Sequence, residues 1–248
     1  MPQRWYKCLY PKAGNKSVNL IAKLMPLQYS LVIIPRYAIC LFILLFCTSI
    51  FFYSGGTLHN PNTVGYSFTR NFFSDLGILS EENIVSVILF AAGLLVVGLN
   101  FILYFYNFMK LFNTDSLSSK IGKVGSIFGI VGAIFFIIIG FTPHNYVHDS
   151  HIIAVNWAFR SFLVASMFLF YSMLKDSRFD SKYAIGYLIF SLLIFAYIII
   201  LEFGPSPRDS DFSLIFNVIA QKFIVLVFIL SVFYQSFGNA SFLTQNKV

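Results

Sequence analysis

NIVSVILFAAGLLVVGLNFILYFY, residues 83–106, contains no charged side chain. A helix needs about 20 consecutive, mostly apolar residues to cross roughly 30 Å of hydrocarbon. This stretch supplies them, without the period-two alternation that marks a barrel strand. Five further runs have the same character: Tyr37–Tyr53, Ile121–Phe141, Ile152–Leu174, Tyr183–Leu201 and Phe212–Phe237, with Leu31–Pro35 available to lengthen the first. The chain is 58% hydrophobic and 11% charged, against about 25% charged residues in a soluble domain, and its mean hydropathy is +0.77. A soluble globular domain is excluded. The expected fold is all-α, a polytopic six-transmembrane-helix bundle, with residues 1–30 a basic tail, 31–238 the membrane domain and 239–248 a second tail.

Lys and Arg placement orients such a bundle, because short loops rich in them stay cytoplasmic. Arg4, Lys7, Lys12, Lys16, Lys23 and Arg36 precede the first span; Lys110, Lys120 and Lys123 flank the second connection; Lys175, Arg178 and Lys182 fill the fourth. The other side holds Arg70 and Arg208. Both termini are therefore expected in the cytoplasm, in a multi-pass protein of the cell membrane. The net charge of +7 then reflects topology and contact with anionic membrane lipids, with no nucleic-acid partner implied. No secretory cleavage pattern follows an early apolar core, so the first span is expected to be retained. Cys8 lies in the tail, and Cys40 and Cys47 share a face of the first span; core packing, not a disulfide, is their expected role.

Polar residues crowd together in GYSFTRNFFSDLG, Gly65–Gly77, within the longest connection, Ser54–Ser80. Thr69–Leu76 is expected as a short helix ended by Gly77 in the left-handed conformation. It would pair Arg70 with Ser74 and Asn71 with Asp75. Ser80 then caps the second span, with Glu81 and Glu82 in the first turn, where the helix dipole favours acids.

Thr142-Pro143 reads as the N-cap and first position of the fourth helix. That register puts His144, His148 and His151 at i, i+4 and i+7 on one face, followed by Asn156 and Arg160. Arg160 would lie about 13 Å below His151, close to the bilayer midplane. In the sixth span Asn217 and Gln221 are one turn apart, and Lys222 adjoins them about 15 Å from the exterior end. A charge at such depth is costly unless paired or hydrated, so it marks either a buried ion pair, with Glu202 available as partner, or a solvated cavity.

GYSFTRNFFSDLG, GFTPHNYVHDSH before the fourth span and IAQKF in the sixth together resemble the six-helix membrane proteins known as domain of unknown function nine-nine-eight. A looser resemblance extends to membrane proteins of the autophagy-modulator type. The resemblance carries over Tyr66, Arg70, Ser74, Asp75, Leu76 and Gly77, then Pro143 with His148 or His151, then Gln221 and Lys222. The chain departs from the family pattern at Thr142, where phenylalanine is usual, and at Gln221-Lys222, where an acid and an arginine are usual. The resemblance implies the fold and supplies no activity.

Two functional expectations follow. In the first, Arg160 and Lys222 face a polar interior lined by Asn156, Asn217 and Gln221, capped by Arg70, Asn71, Ser74 and Asp75, and bind a lipid or other anionic ligand. In the second, His144, His148 and His151 with Asp75 hold Zn²⁺ for a membrane-embedded hydrolase. The sequence has no HExxH motif, and a transporter is a weaker third reading because no inverted repeat is visible.

Overall fold

The computed structural model describes residues 27–246; residues 1–26 of the basic tail expected at 1–30, and residues 247–248, lie outside the described residues. A π-helical turn, Tyr29–Ile33, leads into α1 (Ile34–Phe52). The other long helices are α2 (Ile84–Phe108), α3 (Leu117–Gly140), α4 (His148–Lys175), α5 (Ser181–Phe203) and α6 (Asp211–Asn246). Among the described residues six helices are long and apolar enough to cross a membrane, and the chain is a multi-pass integral membrane protein.

Each helix packs on the next in sequence, and α6 returns to pack on α1. The bundle is therefore a closed ring. Without a hydrophobic force between helices in lipid, close backbone approach and shape complementarity must hold such a ring together. Glycines of α3 permit that approach: Phe105 of α2 lies against Gly129, and Phe162 of α4 against Gly132. Phenylalanines fill the axis, with Phe136, Phe162 and Phe228 meeting at ring-centroid distances of 5.0, 5.2 and 5.3 Å.

The seam between α1 and α6 has a clear chemical cause. Pro35 has no N–H to donate to the carbonyl four residues back, which frees the Leu31 oxygen. Asn239 of α6 donates to that oxygen at 3.1 Å, and its amide also donates to the Tyr104 hydroxyl at 3.0 Å. Tyr104 in turn meets Tyr187 of α5 at 3.1 Å. Asn239→Leu should therefore cost about 1–3 kcal/mol through the orphaned buried carbonyl, measured as a lower unfolding temperature in detergent.

Two expectations need correction. α6 continues past Phe237 to Asn246, because the ring of Tyr183 occupies the space beside Gly238, 2.6 Å from where a Cβ would sit. Residues 239–246 are thus part of the bundle, with Phe242 and Leu243 buried. Cys40 and Cys47 are exposed, on the outward face that also carries Tyr37, Leu44 and Phe51, so they do not pack in the core.

Candidate functional site

The segment between α1 and α2 folds over one mouth of the ring. It opens as a narrow loop in which Gly56 N donates to Thr63 O at 2.8 Å and Gly65 N to Ser54 O at 2.9 Å. Gly55 holds φ of +136°, and a Cβ there would lie 2.0 Å from the Thr63 oxygen, so only glycine fits. Asn83 closes the segment's base, its Oδ1 accepting from Ser54 N at 2.8 Å.

Asn71, fully buried, organises the interior of this lid. Its Nδ2 donates to Gly56 O at 2.7 Å and to Asp75 Oδ2 at 3.0 Å, while its Oδ1 accepts from Ser67 N at 2.9 Å. Asp75 Oδ2 also accepts from Phe72 N at 3.0 Å. That bond winds Phe73–Gly77 into a 3-10 turn, in place of the α-helix expected over Thr69–Leu76. Gly77 is not left-handed; it is required because the Phe90 ring comes within 2.9 Å of its Cβ direction.

Two adjacent residues of α6 grip the lid. Gln221 Oε1 accepts from Phe73 N at 2.7 Å, and Lys222 Nζ donates to Asn71 O at 2.5 Å. The ammonium sits 5.2 Å from the Tyr66 ring centroid, 5.1 Å from that of Phe68 and 5.0 Å from that of Phe73. Desolvated cation–π contacts of this kind contribute about 2 kcal/mol, which offsets part of the cost of burying Lys222. The Tyr66 hydroxyl donates to the same Asn71 oxygen at 2.9 Å, and that of Tyr53 to Gly56 O at 3.0 Å. Burial, and secondarily the Asp75 carboxylate, push both phenols well above the usual tyrosine range, so they remain donors.

The third wall comes from the α3–α4 connection. Thr142 and Pro143 do not start a helix: the Thr142 hydroxyl donates back to Ile138 O at 2.9 Å, a turn follows, and α4 begins at His148. His144 consequently precedes the helix, and the expected three-histidine face does not form. His144 Nε2 lies 3.3 Å from Asp75 Oδ1. His151 is buried, its Nδ1 2.7 Å from Thr142 O. A carbonyl only accepts, so Nδ1 carries the proton and Nε2 of the neutral ring is left as an acceptor. His148 is exposed. Among the described residues no group of three or more His, Cys, Asp and Glu side chains is placed to hold a metal ion, so these histidines carry no zinc assignment further.

Beneath the lid lies a cavity of about 100 Å³. Its walls are apolar, including Phe46, Leu94, Phe136, Phe159 and Val225, and its polar lining is confined to Ser74, His151 and Gln221 at the lid end. Phe101 and Phe228 line both this cavity and a smaller one of about 50 Å³ on the far side of the aromatic plug.

The remaining sequence candidates stand apart from it. Arg160 pairs with Glu202 near the end of α5, both side chains more than a third exposed. It is not a mid-bilayer cation facing Lys222, because α4 begins about 18 Å before it and so overshoots the end of α5. Asn217 donates to Pro205 O at 2.8 Å and Ser213 O at 2.9 Å. Arg70 reaches Asp211 through two hydrogen bonds, of 2.8 and 2.7 Å, on the exposed rim. Asn156 is half-buried and outside the cavity lining. Sequence reasoning missed the aromatic box around Lys222; its signal was the spacing of Tyr66, Phe68 and Phe73 in the segment that also holds the buried Asn71.

No curated protein and no solved structure matches the chain. Residues 46–233 match the family described as Protein of unknown function (DUF998). That span contains the lid, the α3–α4 turn and both α6 residues that grip the lid, and the chain belongs to this family.

Proposed function

We propose that the protein binds a lipid-like amphiphile, its apolar part in the cavity under the lid and its polar end against Ser74, His151 and Gln221. The observation that carries this reading is the segregation of the lining: apolar side chains from five helices and polar ones only at the lid end. Sites for small amphiphiles are apolar pockets with a few polar groups that fix orientation. A cavity of about 100 Å³ takes a few methylenes as it stands, so a longer chain would leave between helices into the bilayer. Lys110, Lys120, Lys123, Lys175, Arg178 and Lys182 cluster at the end opposite the lid. By the positive-inside rule this end is cytoplasmic and the lid faces outward.

Native mass spectrometry of gently released protein tests the reading. A retained lipid-sized mass is expected in the wild type, and Val225→Phe, which fills the cavity, should reduce its occupancy at least about tenfold by steric exclusion. Arg160→Leu, outside the lining, should leave it in place. Undiminished retention in folded Val225→Phe protein overturns the proposal.

A further inference from the structure

Resting on that reading, we infer that the ligand's polar end is an uncharged hydroxyl, as in a fatty, isoprenoid or sterol alcohol or a glyceride, and not a phosphate or carboxylate. The polar side chains that a headgroup would meet are Ser74, His151 and Gln221. Gln221 spends its oxygen on Phe73 N, and its Nε2 makes no hydrogen bond among the described residues, so it offers donors. His151 spends its Nδ1 proton on Thr142 O, so its Nε2 offers a lone pair. Ser74 makes no side-chain hydrogen bond among the described residues, and its hydroxyl can turn either way. A hydroxyl satisfies this set, donating to His151 Nε2 and accepting from Gln221 Nε2. An anion would set its oxygens against the imidazole lone pair.

The cations that an anion would need are committed elsewhere. Lys222 donates to Asn71 O inside its box of aromatic rings. Arg160 is paired with Glu202, and Arg70 with Asp211. The Asp75 carboxylate lies 3.3 Å from His144, and it adds repulsion toward an anionic head. The earlier expectation of an anionic ligand rested on Arg160 and Lys222 converging on one interior, which they do not do.

The test compares three probes with the same chain, added to delipidated protein and read by native mass spectrometry: oleyl alcohol, oleyl methyl ether and oleate. The alcohol should bind at least about tenfold more tightly than the ether, which leaves the buried imidazole acceptor unpaired, and more tightly than oleate. His151→Leu should bring alcohol and ether to equal affinity. Equal binding of alcohol and ether by the wild type, or preference for oleate, overturns the inference while leaving amphiphile binding intact. If none of the three binds, amphiphile binding itself fails and this inference with it. The wild-type comparison decides the matter even if the histidine variant does not fold.

Discussion

Replacing Asp75 with leucine should lower the stability of the folded protein by about 2–6 kcal/mol, at about 1–3 kcal/mol for each of two buried donors left without an acceptor. Asp75 is 8% exposed, and its Oδ2 satisfies both Phe72 N and Asn71 Nδ2. Leucine leaves those two donors unpaired under the lid, and it removes the carboxylate that faces His144. At about 2–4 °C per kcal/mol for a chain of this size, the unfolding temperature in detergent should fall by roughly 10 °C. Asp75→Asn separates the contributions. Its one oxygen, placed where Oδ2 is, still accepts from both Phe72 N and Asn71 Nδ2, and its amide takes the Oδ1 position facing His144 Nε2, so no more than about 1 kcal/mol should be lost. The segment around Gly55–Gly65 should also become open to proteolysis in the leucine variant, since Asn71 anchors it through Gly56 O. An unfolding temperature within a degree or two of the wild type for Asp75→Leu would show that the lid is not held from Asp75.

Gly98→Leu should cost a net of about 2 kcal/mol, for an unrelated reason. A Cβ at this position would lie 2.4 Å from Ile137 Cγ1 and 3.0 Å from the backbone oxygen of Ala133. The isoleucine can rotate aside; the carbonyl is part of the hydrogen-bonded ladder of α3 and cannot. Leucine must therefore push α2 and α3 apart, at about 3 kcal/mol as overpacking, less about 1 kcal/mol regained from better helix propensity. Gly98→Ala keeps the clash at Cβ but adds nothing beyond it, so the loss should grow from alanine to leucine. Equal unfolding temperatures for wild type, alanine and leucine would mean that α2 and α3 are not in close contact at this level.

The helices were legible because hydropathy and length alone specify a span, and each of the six expected runs lies largely within a helix. Where helices end was less legible, since termini depend on neighbours: the sixth apolar run ends at Phe237, yet the helix continues to Asn246 with Tyr183 packed over Gly238. Within the site, the crowding of polar residues between apolar runs marks Asn71, Ser74 and Asp75, and polar side chains deep inside an apolar span mark Gln221 and Lys222; the structure places these five in and under the lid. Arg160 and Asn217 were misplaced for a physical reason. Spacing along a helix gives the depth of a residue relative to its own helix end, but not its partner or its level relative to helices that start higher or lower. The α3–α4 turn was misread because Thr-Pro suits a helix start equally well as a loop. Here the Thr142 carbonyl is taken by His151, a contact across nine residues that no local pattern announces.

The clasp between Asn239 and the Leu31 carbonyl has a consequence for how the protein is made. The freed carbonyl is created by Pro35 in α1, and its donor is in α6, the last of the described helices, as are Gln221 and Lys222, the residues that fasten the lid. During synthesis α1–α5 must therefore wait in the bilayer as an open crescent, with the lid unfastened and the central aromatic plug missing Phe228. Closure comes only once α6 has left the ribosome, so a chain truncated before α6 should be a substrate for membrane quality control instead of a smaller working protein.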